Sequence, residues 1–254
     1  MDPHLDPRPD TTSGMSSRST LLVSDLHLSP SRPGTTAAFI GLLDGAARDA
    51  DVLYILGDLF DYWIGDESVD ESAVRPVIAA LAAVSAAGTS IRFMHGNRDF
   101  LVGRRFAEAT GIQLLPDPLL VEIGGVPTLL LHGDTLCTED TGYNGFRATV
   151  REAAWQRAFL ARPLAERRAE ALRLRALSER EKQSKSAEIM DVTPSEVLRM
   201  LRASGYPRMV HGHTHRPMRH VHPVDGRCCE RWVLPDWQDS ATGLAATGGT
   251  LLRF

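Results

Sequence analysis

The chain has little of what would mark it as secreted, membrane-spanning or nucleic-acid-binding. Its 254 residues include only three cysteines, two of them adjacent (Cys228 and Cys229). That is a poor disulfide framework, and it suggests packed or surface thiols in a reducing compartment. Long apolar runs are missing too. The longest, Val77 to Val84, is far shorter than the roughly 20 residues a membrane span needs. The first residues carry Asp2, Pro3, Asp6, Pro7 and Pro9 and offer no apolar stretch for a signal peptide. Nor is there a basic excess: a net charge of −4 argues against nucleic acid as a partner. Together these absences point to a cytoplasmic address.

Residues 1–19 are nearly devoid of large apolar side chains and are rich in Pro, Ser, Thr and Asp. They cannot bury enough surface to offset ordering entropy, so a disordered tail is expected. Beyond it, apolar content is ordinary for a globular protein with a sizeable core. Five short apolar runs read as buried strands: 20–24, 52–56, 90–94, 126–131 and 208–210. Two helices separate the first three. Residues 36–47 place Phe39, Ile40 and Leu43 on one face, and 72–87 do the same with Val74, Val77, Ile78, Leu81 and Val84. Gly88 stands where a helix-ending glycine is expected. This alternation predicts a layered α/β domain, with weak edge strands over 233–254.

Each of the five runs ends on a polar motif: Asp25-Leu26-His27, Gly57-Asp58, Gly96-Asn97-Arg98-Asp99, His132-Gly133-Asp134 and Gly212-His213-Thr214-His215. In layered α/β domains such strand ends share one site. Two divalent ions need one bridging carboxylate with oxygen or imidazole donors on either side. Asp25 and His27 alternate along an extended segment and can meet one ion, as can His213 and His215. Asp58, relieved of crowding by Gly57, is the natural bridge. Asn97 offers a neutral carbonyl oxygen and His132 another imidazole. Two divalent ions and two carboxylates leave roughly +2, which attracts a phosphate or pyrophosphate. An O/N donor set without thiolate suits Mn²⁺, Fe²⁺ or Zn²⁺, and the oxygen donors favour two Mn²⁺. His95 and His211 read either as groups that orient ligands or as packed side chains.

With these motifs the chain resembles the calcineurin-like metallophosphoesterase superfamily, whose pattern D-x-H, G-D, G-N-H/R-D, H-G-D, G-H-x-H is present in full. The resemblance implies an αββα sandwich of two packed sheets flanked by helices. It also implies a ligand partition: Asp25, His27, Asp58 and His215 on one ion, and Asp58, Asn97, His132 and His213 on the other. A closer likeness rests on Ser24 to Ser29, Gly57 to Asp66, His95 to Phe100, His132 to Thr138, Ser184-Lys185-Ser186, Ile189 to Val192 and His211 to Pro217. It is to a branch that cleaves the pyrophosphate bond of a lipid-linked nucleotide, UDP-2,3-diacylglucosamine, in lipid A biosynthesis. Arg98, where many relatives have histidine, is the most telling single letter. By that likeness Asn97 and Arg98 act in catalysis, and Asn97, Arg98, Asp140, Ser178, Lys182, Lys185 and His213 contact substrate. Lys182 stands where another form of the branch has asparagine.

Residues 141–200 contain no convincing strand and hold 12 Arg/Lys against 8 Asp/Glu. Left to themselves they read either as a helical layer over a sheet edge or as a cap made of amphipathic helices. The resemblance implies the cap, over an acyl-chain pocket, inserted into a core formed by 20–140 and 201–254. Its basic residues could then hold the protein peripherally on the anionic cytoplasmic face of the inner membrane. The expected reaction is attack of a metal-activated water on the α-phosphorus, giving UMP and 2,3-diacylglucosamine 1-phosphate. The alternatives are another metallophosphoesterase, such as a nucleotide phosphodiesterase or protein phosphatase, and a non-enzymatic scaffold. Oligomeric state is not legible.

Overall fold

The computed structural model describes residues 19–184 and 189–254. The expected tail, apart from Ser19, and Lys185 lie outside the described residues, as does the side chain of Lys182. Ser19 is held, its backbone N–H donating to Asp51 at 2.7 Å.

Two sheets form the centre. The first is built from β1 (Thr20–Val23), β2 (Val52–Leu56), β3 (Ser90–Met94) and β4 (Gln113–Leu115), all parallel. It is extended by the antiparallel pair β10 (Leu244–Thr247) and β11 (Thr250–Arg253), with β10 beside β1. The expectation of edge strands near the C-terminus is met by this pair. The second sheet runs in the order β5 (Leu119–Ile123), β6 (Val126–Leu130), β7 (Arg208–His211), β9 (Arg227–Val233) and β8 (Arg219–Val224). Strands β6, β7 and β9 are parallel.

Strand alternation assigns each face. Leu22, Tyr54, Leu56 and Met94 of the first sheet meet Leu130, Val210 and Leu234 between the sheets. The opposite face, with Leu53, Ile55 and Phe93, carries α1 (Pro33–Asp44), α2 (Arg75–Ala86) and α3 (Arg104–Thr110) through Phe39, Leu43, Leu81 and Phe106. On the outer face of the second sheet, Val197 and Leu201 of α7 (Pro194–Ala203) pack on Leu129 and Met209. The result is the four-layered αββα arrangement. Helix α7 thus joins two parallel strands as a crossover and belongs to the layered core, although most of it falls within the segment expected to be inserted.

Both expected helices form, with shifted ends. Helix α1 begins three residues earlier than expected because a proline is pre-organised for the first turn. Gly88, with φ of +112°, follows α2. Helix α3, β4, β5, β8 and β9 are additions to the sequence reading. The start of α3 is capped from a distance: the Asp66 carboxylate accepts from the N–H groups of Gly103, Arg105 and Phe106. A cap 37 residues away in the chain leaves no local signal. The β8–β9 hairpin did leave one, in Asp225-Gly226, whose φ values of 51° and 77° fit the turn type that Asp-Gly favours.

Helices α4 (Thr141–Arg151), α5 (Ala153–Leu160) and α6 (Leu164–Ser184) follow β6. Arg167 of α6 donates to the Ile64 carbonyl and to Glu67, Arg168 pairs with Glu71, and Arg175 pairs with Asp61. These contacts hold α6 beside the loop that follows β2.

Candidate metal centre

The carboxyl ends of β1, β2, β3, β6 and β7 point to one edge of the sandwich, and their loops carry the seven expected ligands. The path by which they converge differs from the expectation. Asp25, His27, His213 and His215 do not alternate along extended backbone. Their φ values are 56°, 50°, 67° and 55°, and that of Asp58 is 54°. Left-handed residues curl each loop so that side chains two apart turn to the same centre. Among the described residues seven non-glycines have positive φ, and five are these. Such strain persists only where surroundings over-determine it.

Those surroundings are hydrogen bonds and close backbone packing. The fully buried Asp99 carboxylate accepts from the N–H groups of Gly96 (2.8 Å), Leu59 (2.7 Å), Asp58 and Phe60. It therefore ties the loops after β2 and β3 together. Asp25 Oδ2 accepts from Ser24 Oγ (2.6 Å) and from the N–H of His213 (2.9 Å), and Asp58 Oδ1 accepts from the N–H of Arg98 (2.8 Å). Gly57 and Gly96 face each other so closely that a Cβ on Gly57 would lie 2.6 Å from the Gly96 backbone. A Cβ on Gly96 would lie 2.1 Å from Asp58 Oδ1.

Two groups of donor atoms result. His215 Nε2 lies 3.3 Å from Asp25 Oδ1 and 3.4 Å from His27 Nε2, and His27 Nδ1 is 3.9 Å from Asp58 Oδ2. On the other side the Asn97 amide oxygen is 3.1 Å from His132 Nε2 and 3.0 Å from His213 Nδ1, while His132 Nε2 is 3.8 Å from Asp58 Oδ1. Asp58 faces both groups. His132 Nδ1–H donates to the Leu56 carbonyl at 2.9 Å, which fixes the tautomer and leaves Nε2 free to face the cluster.

The residues fit divalent ions. Among the described residues Asp25 Oδ1 and His27 Nδ1 are buried without a hydrogen-bond partner, a costly state that a cation would relieve. Ligand atoms of Asp25, His27 and His215, and of Asp25, Asp58 and His132, lie within 4.8 Å of one another. The electrostatics agree. Burial pushes the Asp25 carboxyl up, but His215, His132 and His27 outweigh it and hold it well below the usual range. Burial pulls His132 down, but Asp58, Asp134 and Asp25 raise it to about 9. Burial, then the neighbouring Asp58, pushes Asp99 up to about 6. Burial and His132 bring His213 down to about 3. The buried carboxylates thus raise the affinity of the centre for positive charge.

The centre opens into a cavity of about 480 Å³. Arg98, Asp140, Ser178, Asn97 and His213 all line it. Arg98 Nη2 lies 3.6 Å from Glu179 Oε1 on α6, and Asp140 caps α4 by accepting from the Tyr143 N–H. The same cavity is lined by the apolar side chains of Trp63, Phe100, Trp155, Phe159 and Leu174. Trp155 and Phe159 stack with ring centres 5.0 Å apart.

The sequence reading gave no role to Asp99, Asp134 or Arg151. Asp134 accepts from Tyr143 Oη and Arg147 Nε, both at 2.6 Å, and Arg151 donates to the Gly96 carbonyl at 2.8 Å. They bind α4 to the loops that carry His132 and Asn97. The two aspartates sat in the motifs as visible signals; Arg151 left none. His95 donates to or accepts nothing in the cluster: its Nε2 meets the Val102 carbonyl at 2.7 Å.

The family description "Calcineurin-like phosphoesterase" matches residues 19–217. A UDP-2,3-diacylglucosamine hydrolase of Aromatoleum aromaticum is 52% identical over 93% of this chain and 97% of its own. A protein of the same name from Cellvibrio japonicus is 48% identical (89% and 97% covered), and one from Xanthomonas oryzae pv. oryzae is 46% identical (92% and 98%). Family membership and the donor groups together support use of divalent metal. The chain belongs to the calcineurin-like phosphoesterase family, in the branch of the UDP-2,3-diacylglucosamine hydrolases.

Proposed function

We propose that the protein hydrolyses the pyrophosphate bond of UDP-2,3-diacylglucosamine, giving UMP and 2,3-diacylglucosamine 1-phosphate. The observation that carries this reading is one cavity lined both by the polar donor cluster and by stacked aromatic rings. A pyrophosphate suits the polar lining and acyl chains the apolar lining.

Asp25, His27, Asp58 and His215 would hold one ion, and Asp58, Asn97, His132 and His213 the other. The mixed O/N set favours Mn²⁺ over Fe²⁺ or Zn²⁺. When bound, the ions supply an activated water and neutralise charge on the phosphoryl oxygens. The chain's own residues orient the substrate. Arg98, with a planar and permanently charged guanidinium, binds equatorial oxygens of the α-phosphorus. Asn97, Asp140, Ser178, Lys182, Lys185 and His213 contact the nucleotide sugar. The leaving group is itself a phosphate, so no strong general acid is required. Rings on α5 and the loop after β3 bury acyl chains, at about 0.8 kcal/mol per CH₂. In the described residues no helix is long and apolar enough to cross a membrane. Leu160, Leu172 and Leu177, exposed among the arginines of α5 and α6, suit peripheral attachment to the anionic cytoplasmic leaflet of the inner membrane.

The test is Mn²⁺-dependent release of UMP from the lipid nucleotide, beside hydrolysis of p-nitrophenyl phosphate and cyclic nucleotides. Preference for the latter two would overturn the lipid assignment. In ¹⁸O-water the label should appear on UMP; label on the lipid phosphate would overturn attack at the α-phosphorus.

A further inference from the structure

Arg231, on β9, is 5% exposed, and among the described residues no carboxylate lies within ion-pair distance of it. Its guanidinium instead sits between two imidazoles. Nη1 meets His211 Nε2 at 2.9 Å and Nε donates to His222 Nε2 at 3.2 Å. Arginine is always a donor, so His211 Nε2 must accept and its proton must sit on Nδ1. That N–H reaches the Gly212 carbonyl at 2.9 Å. Both ring nitrogens of this fully buried histidine are therefore committed.

Gly212 begins the loop that presents His213 and His215. Its N–H donates to the His132 carbonyl at 2.8 Å, and a Cβ on it would lie 2.2 Å from Asp25 Oδ2. On the other side a Cβ on Gly133 would lie 2.8 Å from His211 Nδ1. The His211 ring is thus wedged between the loops after β6 and β7, and three of the seven candidate ligands stand on those loops. Two of the three, His213 and His215, have left-handed backbone that needs external support.

We infer that Arg231 is a positioning residue: by clamping His211 from behind, it holds the loops of His132, His213 and His215 in register for the metal ions. The inference rests on the proposed metal site. A buried cation without a carboxylate is expensive to keep, and its only described polar partners are the ring behind the site and His222 at the sheet edge. A side chain so placed acts on the loops through His211 and touches neither ion nor substrate.

The test is calorimetric titration of the full, metal-stripped chain with Mn²⁺, well below each variant's unfolding temperature. Wild type should bind Mn²⁺; if it does not, the metal reading fails by itself. Arg231→Met should weaken binding about ten-fold, the order seen when groups behind metal ligands are removed. Arg231→Lys keeps the charge but on a single donor nitrogen that cannot reach both imidazoles, and should fall between, about three-fold weaker. A merely structural role would lower the unfolding temperature of both variants and leave Mn²⁺ affinity unchanged; that result overturns the inference. Should Arg231→Met fail to fold, Arg231→Lys carries the same test, and wild-type affinity in that variant is equally decisive against it.

Discussion

Nε2 of His27 lies 3.4 Å from Nε2 of His215, although 188 residues separate the two in sequence. One ring stands on the loop after β1 and the other on the loop after β7, so the contact joins the two sheets at the edge where the site lies. The contact satisfies the two rings poorly by itself. His27 is pulled well below its ordinary pKa, by burial first, and among the described residues its Nδ1 has no hydrogen-bond partner. A cation would relieve the arrangement by accepting a lone pair from each ring.

Asp58 faces both donor groups, with His27 Nδ1 on one side and His132 Nε2 on the other. Asp58→Ala should lower UMP release by at least about 10³-fold, because both ions lose a ligand and neighbouring His132 loses its strongest charge partner. The check is steady-state UMP release with Mn²⁺ in excess. Activity above a few per cent of wild type would contradict the bridging position.

Arg98 is assigned to charge on the phosphoryl oxygens. Arg98→Ala should cost about 10²-fold in kcat, and Arg98→Lys should recover only part of that, since an ammonium lacks the fork geometry. Mn²⁺ affinity should hardly change. A loss confined to KM would mean that Arg98 binds ground state and transition state alike.

Trp155 stacks on Phe159, and both rings line the cavity. Trp155→Ala should raise KM for the diacyl substrate by roughly ten-fold through lost apolar burial. Hydrolysis of p-nitrophenyl phosphate, which has no acyl chain, should be unaffected. Equal losses on both substrates would place the defect in the centre.

His132 titrates near 9 in the folded, metal-free protein against 6.5 for a free histidine. The fold therefore binds this proton more tightly than the unfolded chain does. Its contribution to stability is full below pH 6.5 and is lost as pH rises towards 9. Urea unfolding of the metal-stripped protein should show that decline, and His132→Gln should flatten it. Since a metal ligand must be deprotonated, stabilisation by Mn²⁺ should grow over the same interval. An identical pH slope in wild type and variant would contradict the assignment.

Much of the core was legible because apolar runs of strand length, each closed by a polar motif, are local signals. β1, β2, β3, β6 and β7 follow from them to within a residue or two. Elements whose cause lies elsewhere in the chain were not legible. Helix α3 depends on Asp66, and β8 and β9 left only the Asp225-Gly226 turn as a signal, because His220, His222, Arg227 and Arg231 interrupt the apolar pattern of their strands. The site divides in the same way. Its ligand types could be read from the motifs, but the i, i+2 argument rested on extended backbone, and the loops are left-handed. Sequence spacing does not reveal φ when the residue is Asp or His and not Gly.

By itself the sequence determined the donor atoms: two carboxylates, four imidazoles and an amide, each placed just after an apolar run that must be buried. Only the tertiary structure decided how they meet. The strand ends of two sheets had to be brought to one edge, and the strained loops had to be fixed by Asp99, by glycine-to-glycine packing and by His211. Those constraints act between segments far apart in the chain, and burial of both sheets supplies the free energy that holds them.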